Sequence, residues 1–315
     1  MHPALSVVFF TVVSGSGYGL LFLLGVGLAV DPQIINRSEA LAMLAAGMLF
    51  AVAGLASSLL HLGQPQRAWR AFTQWRSSWL SREGVAAICS FMPLLALAGC
   101  LWRGADAGVL RALGAALAIT ATVTVYCTSG IYTSLKTVHA WHNAYVLPGY
   151  LLFALLGGAS CLWMLHALII GARDPLVHRS LLLFIVMLAL GCAILKYRYW
   201  HFIDTTHHPA TTESATGLGR FGQVRSVEWP HTEENYLTRE MGFVLARKHS
   251  ARLRIISLIL FGAVPVFFAV IALAWPALTA ASSGAAFLAG ILGIFVERWL
   301  FFAEARHVVM LYYRA

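Results

Sequence analysis

Charge is scarce in this sequence. Only 22 Lys and Arg and 13 Asp and Glu occur among 315 residues, 11% in all, against about a quarter in an ordinary soluble domain. That excludes a soluble enzyme or binding module of this size. Closely spaced cysteines are missing as well: Cys89, Cys100, Cys127, Cys161 and Cys192 lie singly in or beside apolar stretches, with no C-x-x-C pair. They read as small buried hydrophobes, and a chain without repeated cysteines cannot ligate its own iron–sulfur clusters. Any such cluster must belong to a partner. The apolar stretches also lack the two-residue alternation of barrel strands, which leaves helices as the way to satisfy a backbone in hydrocarbon.

Apolar length is what the chain has in abundance, with 59% hydrophobic residues and a mean hydropathy of +0.75. Eight runs can each cross a hydrocarbon core of roughly 30 Å: Leu5 to Val30, Ala40 to Leu62, Gly84 to Trp102, Leu110 to Gly130, Ala144 to Ile170, Leu176 to Tyr197, Leu253 to Trp275 and Gly284 to Ala303. The sequence therefore predicts an all-α integral membrane protein, a bundle of eight transmembrane helices. Residues 1–197 supply helices one to six, 198–252 a polar loop, and 253–315 helices seven and eight with a short tail. The first run exceeds a signal-peptide core, and its Gly15, Gly17, Gly19 and Gly25 suit close helix packing, so it is expected to be retained.

A net charge of +9 in a soluble protein suggests nucleic acid. Here the basic residues sit between the runs and set orientation instead. Counted over alternate loops, one side holds Arg67, Arg70, Arg76, Arg82 and Lys136, the nine from Lys196 to Arg254, and Arg306 and Arg314. The other holds Arg37, Arg103, Arg111, Arg173 and Arg179. The positive-inside rule makes the first side cytoplasmic, with both termini inside a bacterial inner membrane. Partners are then membrane lipid and other proteins, not nucleic acid.

In that orientation most of the unusual polar residues gather at the cytoplasmic end. They include His61, Glu83, Tyr126, Ser129, His139, His142, Lys196, Arg198, Glu297, Arg298 and Glu304. The outer ends carry mainly Trp102, Arg173, Asp174 and His178. Ionisable groups in a membrane segment are costly and are retained for pairing or function. After Gly63 and Pro65 stop the second run, Trp69, Phe72, Trp75 and Trp79 alternate with Arg67, Arg70, Arg76 and Arg82. This mixture suits an interfacial helix with indoles at headgroup level, and a membrane-surface helix with no further role is one reading of it. The other reading uses His61 and Glu83, which flank the segment on neighbouring runs. A histidine and a carboxylate there could hold the two oxygens of a quinone and exchange its protons.

The order His61-Leu-Gly-Gln-Pro, then Arg67-Ala-Trp-Arg-Ala-Phe, then Ser78-Trp-Leu-Ser-Arg-Glu-Gly84 resembles the membrane anchor subunit of the dimethyl sulfoxide reductase family. Val296-Glu-Arg-Trp-Leu-Phe-Phe-Ala-Glu-Ala-Arg-His307 strengthens the likeness, which runs over nearly the whole chain. The resemblance implies eight spans, a bound menaquinone or ubiquinone, and two partners: a molybdopterin catalytic subunit and an iron–sulfur subunit. It places the quinone at His61 and Glu83. Arg67, Arg70, Trp79, Glu297 and Arg298 are further candidates for contact with the cofactor. The long loop from Arg198 to Arg252 is similar to loops in anchors of cytoplasmic sulfite dehydrogenases, which leaves the direction of electron flow open.

Within that loop, Gly217, Gly219 and Gly222 spell G-x-G-x-x-G, but no strand or βαβ unit surrounds them, so dinucleotide binding is not expected. Glu233 and Glu234 after Thr232 read as the start of a charged helix that runs into the seventh span, a docking surface or a plain connector. Twelve histidines raise a haem b, but none sits mid-span. His61 with His142 or His307 near the inner face is the less favoured cofactor site. His139, His142, His207 and His208 read as loop residues. Glu297 and Glu304 share one face of the last span, as a salt-bridge network or a proton path, and Arg298 points elsewhere. Thr120, Thr122 and Thr124 are expected to bond between helices or back to their own carbonyls. A transporter is the rival from another class, but internal repeats and polar residues near the midplane, its usual marks, are not evident.

Overall fold

A computed structural model of the chain describes residues 4–60, 64–170, 175–206, 210–225, 227–228 and 245–313. Eight helices in it are long and apolar enough to cross a membrane: α1 Leu5–Val30, α2 Arg37–Leu59, α3 Trp79–Arg103, α4 Ala107–Thr133, α5 Val146–Ile169, α6 Leu176–Thr205, α7 His249–Ala274 and α8 Pro276–Ala303. Short polar side chains set several of the starts. Asn36 accepts from Ser38 N at the head of α2, Ser78 from Ser81 N at α3, and Asp106 from Gly108 N and Val109 N at α4. Gly104, with φ of 72°, closes α3 in the left-handed conformation that glycine adopts without cost.

α1 is the axis of the bundle and packs on α2, α4 and α5; α3 lies on α4, and α8 runs against α5, α7 and α1. Small residues allow this close approach. A Cβ on Gly19 would overlap the carbonyl oxygen of Ala154, and one on Gly158 would overlap Leu20 N. Both clashes are with backbone, which cannot step aside. Gly25 meets Gly114 in the same way, whereas Gly15 has nothing within 4 Å. Gly19→Ala is therefore expected to separate α1 from α5 and to cost about 3 kcal/mol or more, the upper end for overpacking. Gly99→Ala, at a position facing open space, is the control. Thermal unfolding of the two variants in detergent compares them.

The helices outrun the hydropathy at several ends. α6 continues two turns beyond Tyr197 to Thr205, so the polar loop begins inside a helix. α8 opens with a 3₁₀ turn, Pro276–Leu278, and is α-helical from Thr279, ahead of the Gly284 that hydropathy marks. A helix needs only hydrogen-bond continuity to leave the bilayer, and hydropathy does not report it. The aromatic and basic segment after α2 is a 3₁₀ helix, Pro65–Gln74. Midway along α7 a π-helical turn, Ile259–Ala263, interrupts the α-helical ladder without breaking the helix. It seats fully buried Phe261 against Phe153, ring centroids 5.1 Å apart, where Gly293 of α8 approaches. Gly217 and Gly222 lie in a loop after the helical turn Thr212–Thr216, and among the described residues there is no strand, only an isolated bridge between Val138 and His307. Glu233, Glu234, Arg239, His207, His208, Arg173, Asp174 and Arg314 lie outside the described residues.

Candidate functional site

Alternation of the spans puts the starts of α1, α3, α5 and α7 and the ends of α2, α4, α6 and α8 at one end of the bundle. This end carries the basic loops and is called the basic end below. The Ser78 cap fixes where α3 begins and sets Glu83 one turn inside it. There Glu83 is buried, 4% exposed, and accepts a hydrogen bond of 2.5 Å from Thr128 Oγ1 of α4. Arg82 beside it turns away. Its Nε donates to Trp75 O at 3.0 Å and its Nη2 to Arg76 O at 2.6 Å, and its guanidinium lies 4.5 Å from the Trp79 ring. Glu83 is thus held by a hydroxyl rather than by its neighbouring cation. A carboxyl so held is placed to exchange a proton with a group bound beside it.

The other sequence candidates divide. Trp79 is half-buried and seals the α3–α4 seam: its ring leaves no room for a Cβ at Gly130, and it packs edge-on against Tyr126 at 5.6 Å. Arg67 and Arg70 stand exposed on the 3₁₀ segment, as do Trp69 and Trp75, which carry Arg70 and Arg76 over their rings. Both arginines stand on the surface of that segment. His61 and Gly63 lie outside the described residues.

Glu297 is fully buried on α8 between two cations. Lys196 Nζ of α6 is 2.7 Å from Oε1 and Arg298 Nε is 2.8 Å from Oε2, and both cations are buried. Arg298 therefore does not point elsewhere; its long side chain folds back on the adjacent carboxylate. Aromatic faces supply the remaining walls, with Tyr150 4.2 Å from the Arg298 guanidinium and Tyr199 3.7 Å from Lys196 Nζ. Glu304 pairs with α7 instead of joining Glu297: Arg254 Nε reaches it at 2.9 Å and Arg254 Nη1 reaches Asp204 at 2.5 Å. Burial pushes the Glu304 carboxyl up from its ordinary range, against the pull of Arg254.

These two groups, separate in the sequence, meet around one small cavity. Its volume is about 20 Å³, and Tyr18, Thr128, Tyr150 and Arg298 are among its walls. Thr128 is the partner of Glu83, and Arg298 the partner of Glu297. Trp141, whose Nε1 donates to Phe301 O at 3.0 Å, and Tyr132 pack with Phe301 and Phe302 beneath. The wider opening of this end is a cavity of about 580 Å³ whose lining includes His139, Asp204, Arg254, Glu304 and His307. His139 Nε2 is 2.8 Å from Thr206 Oγ1, and His142 Nδ1 is 2.5 Å from Thr133 O. Among the described residues no three His, Cys, Asp or Glu side chains are grouped to hold a metal ion.

At the opposite end the structure adds a cluster that hydropathy did not suggest. Glu39 at the head of α2 meets His166 Nδ1 near the end of α5 at 2.8 Å, both buried, and His178 at the head of α6 is buried as well. Thr120, Thr122 and Thr124 bond back to Ala116 O, Ala118 O and Thr120 O along α4.

Comparison with known proteins adds to this geometry. Residues 1–303 match the family model described as DMSO reductase anchor subunit (DmsC). The chain belongs to that family. It is also 31% identical to a subunit of the sulfite dehydrogenase of Allochromatium vinosum over 335 aligned positions, which cover 100% of this chain and 99% of that protein. No solved structure matches. The chain is therefore a multi-pass membrane anchor subunit of a complex of the dimethyl sulfoxide reductase and sulfite dehydrogenase type.

Proposed function

We propose that this anchor binds menaquinone or ubiquinone beside Glu83 and passes electrons between it and the iron–sulfur subunit of a molybdopterin oxidoreductase. The observation that carries the reading is Glu83 itself, a buried carboxyl in a membrane helix that is held by a threonine hydroxyl and, among the described residues, is paired with no cation. Each quinone reduced takes two electrons from the partner and two protons from groups around it; quinol oxidation returns them. The five cysteines lack the spacing that holds an iron–sulfur cluster, so on this reading the electrons enter or leave through the partner. Likeness to a sulfite dehydrogenase subunit supports sulfite as the partner's substrate. The basic loops support a cytoplasmic position for the basic end in a bacterial inner membrane. The test is turnover with quinone against turnover with a soluble dye in a Glu83→Gln complex.

The exposed Trp and Arg residues of 65–76 are the natural seat for the iron–sulfur subunit on this reading, because they stand exposed on a segment that packs against the start of α3, the helix that carries Glu83. The loop segment from Glu233 to Arg239 would share that role. Charge reversal of Arg70 and Arg76 together is expected to release the soluble subunits from membranes at moderate salt, where exposed charge pairs are partly screened. Washing membranes at stepped salt and assaying the supernatant for dye-linked activity measures it. Attachment equal to wild type assigns these arginines to lipid alone.

A further inference from the structure

Two small cavities that share Arg298 as a wall lie toward the basic end, along with the wide mouth cavity. Beyond the cavity shared by Thr128, Tyr18, Tyr150 and Arg298 lies a second of about 10 Å³, lined by Arg298 again with Lys196, Tyr145 and Tyr199 among others. Tyr199 OH donates to Ala140 O at 3.1 Å, and Ala140 lines the wide mouth cavity. Arg298 thus lines both small cavities, and Tyr199 lines the second and is held against a wall residue of the mouth cavity.

The first cavity is of a size to hold one water molecule, and the second is at the lower limit. The polar character that a water needs is present. The hydroxyls of Tyr18 and Tyr150 are buried and both belong to the first cavity; among the described residues neither makes a hydrogen bond of normal length and angle, although Ser90 and Thr124 approach Tyr18 and Arg298 approaches Tyr150. A buried hydroxyl left without a partner is costly, and one water among Tyr18, Tyr150 and Thr128 removes that cost.

Charge marks both ends of the row. Lys196, Arg298 and Glu297 form a buried group of two cations and one anion. The nearest carboxylate on the far side of the first cavity is Glu83, reached through Thr128. Glu304, which lines the mouth cavity, acts on Lys196 from the other side, so carboxyl groups stand at both ends of the row.

We infer that the triad and its two flanking cavities form a proton path between Glu83 and the mouth cavity, with Lys196 as the proton-exchanging member and Tyr150 as the relay next to Glu83. This rests on the quinone reading above. Arg298, which cannot lose its proton, acts as a fixed positive wall that positions Glu297 and the first-cavity water. For each quinone reduced, the partner supplies two electrons, Glu83 passes protons to the quinone oxygens, and the path restores them from water at the mouth. Quinol oxidation runs the same transfers in reverse.

The test uses the assembled three-subunit complex in liposomes with a short-chain ubiquinone analogue and sulfite. Tyr150→Phe removes one hydroxyl and keeps the ring; Lys196→Met removes the exchanging amine. Each is expected to lower quinone-linked kcat tenfold or more, with quinone KM within twofold of wild type and dye-linked turnover unchanged. The ratio of rates in H₂O and D₂O should rise, because proton delivery becomes limiting. Wild-type kcat and isotope ratio in Tyr150→Phe overturn the path, and so does a loss that appears in KM alone. Glu83→Gln separates the two readings. If it loses quinone turnover while Tyr150→Phe and Lys196→Met keep it, the path fails and the quinone site stands. If Glu83→Gln keeps normal turnover, the quinone site is not at Glu83 and the path, having no terminus, falls with it.

Discussion

Glu83→Gln is expected to lower quinone-linked turnover by about 100-fold or more, the scale on which loss of a positioned acid or base is felt, while dye-linked turnover by the soluble subunits stays at the wild-type level. The glutamine amide keeps the size of the side chain and can still accept from Thr128 Oγ1, which now donates to Glu83 at 2.5 Å. What it loses is the proton. The change therefore separates chemistry from packing more cleanly than a truncation, since α3 and α4 remain in register through Trp79 and Gly130. A role for Glu83 limited to holding α3 and α4 together predicts the opposite pattern, in which dye-linked and quinone-linked rates fall together because the complex does not assemble. The same comparison applies to His61→Ala, the other residue that the family resemblance assigns to the quinone. Full quinone turnover in both variants would move the pocket toward Lys196, Glu297 and Arg298.

Much of the bundle was legible because a bilayer imposes one simple requirement. Segments must be long, apolar and internally hydrogen-bonded, and all eight spans stand out on that ground alone. Glu83 was legible as a candidate for the converse reason: a carboxylate that opens an apolar run is costly and therefore conspicuous. Partnerships across spans were not legible. Lys196 is 101 positions from Glu297 in the chain, and nothing in either run says which faces turn together. Arg298 was expected to seek another span because side chains at adjacent positions of a helix diverge; its length lets it fold back to Glu297 all the same. The Glu39–His166 pair was invisible for a further reason. Each residue taken alone looks like an ordinary polar group near a membrane interface, and only the packing of α2 on α5 reveals that both are buried.

Glu297→Gln is expected to have the largest effect on stability. It leaves Lys196 and Arg298 buried with no anion between them, and removal of one partner from a buried ion pair costs about 3–5 kcal/mol. Two cations depend on this one carboxylate, at 2.7 and 2.8 Å, so the upper part of that range applies. The tyrosine rings over both cations soften the loss and do not replace a charge. Thermal unfolding of the purified complex in detergent measures the difference. A triple replacement, Lys196→Met with Glu297→Leu and Arg298→Met, gives the complementary result. It removes the charges together, fills similar volume with apolar groups and is expected to restore most of the stability, since a buried ion network is seldom worth more than well-packed hydrophobes. If the triad served stability alone, that triple variant would also regain quinone turnover. Recovery of the fold without recovery of turnover shows that these charges are retained in the membrane for the protons they move.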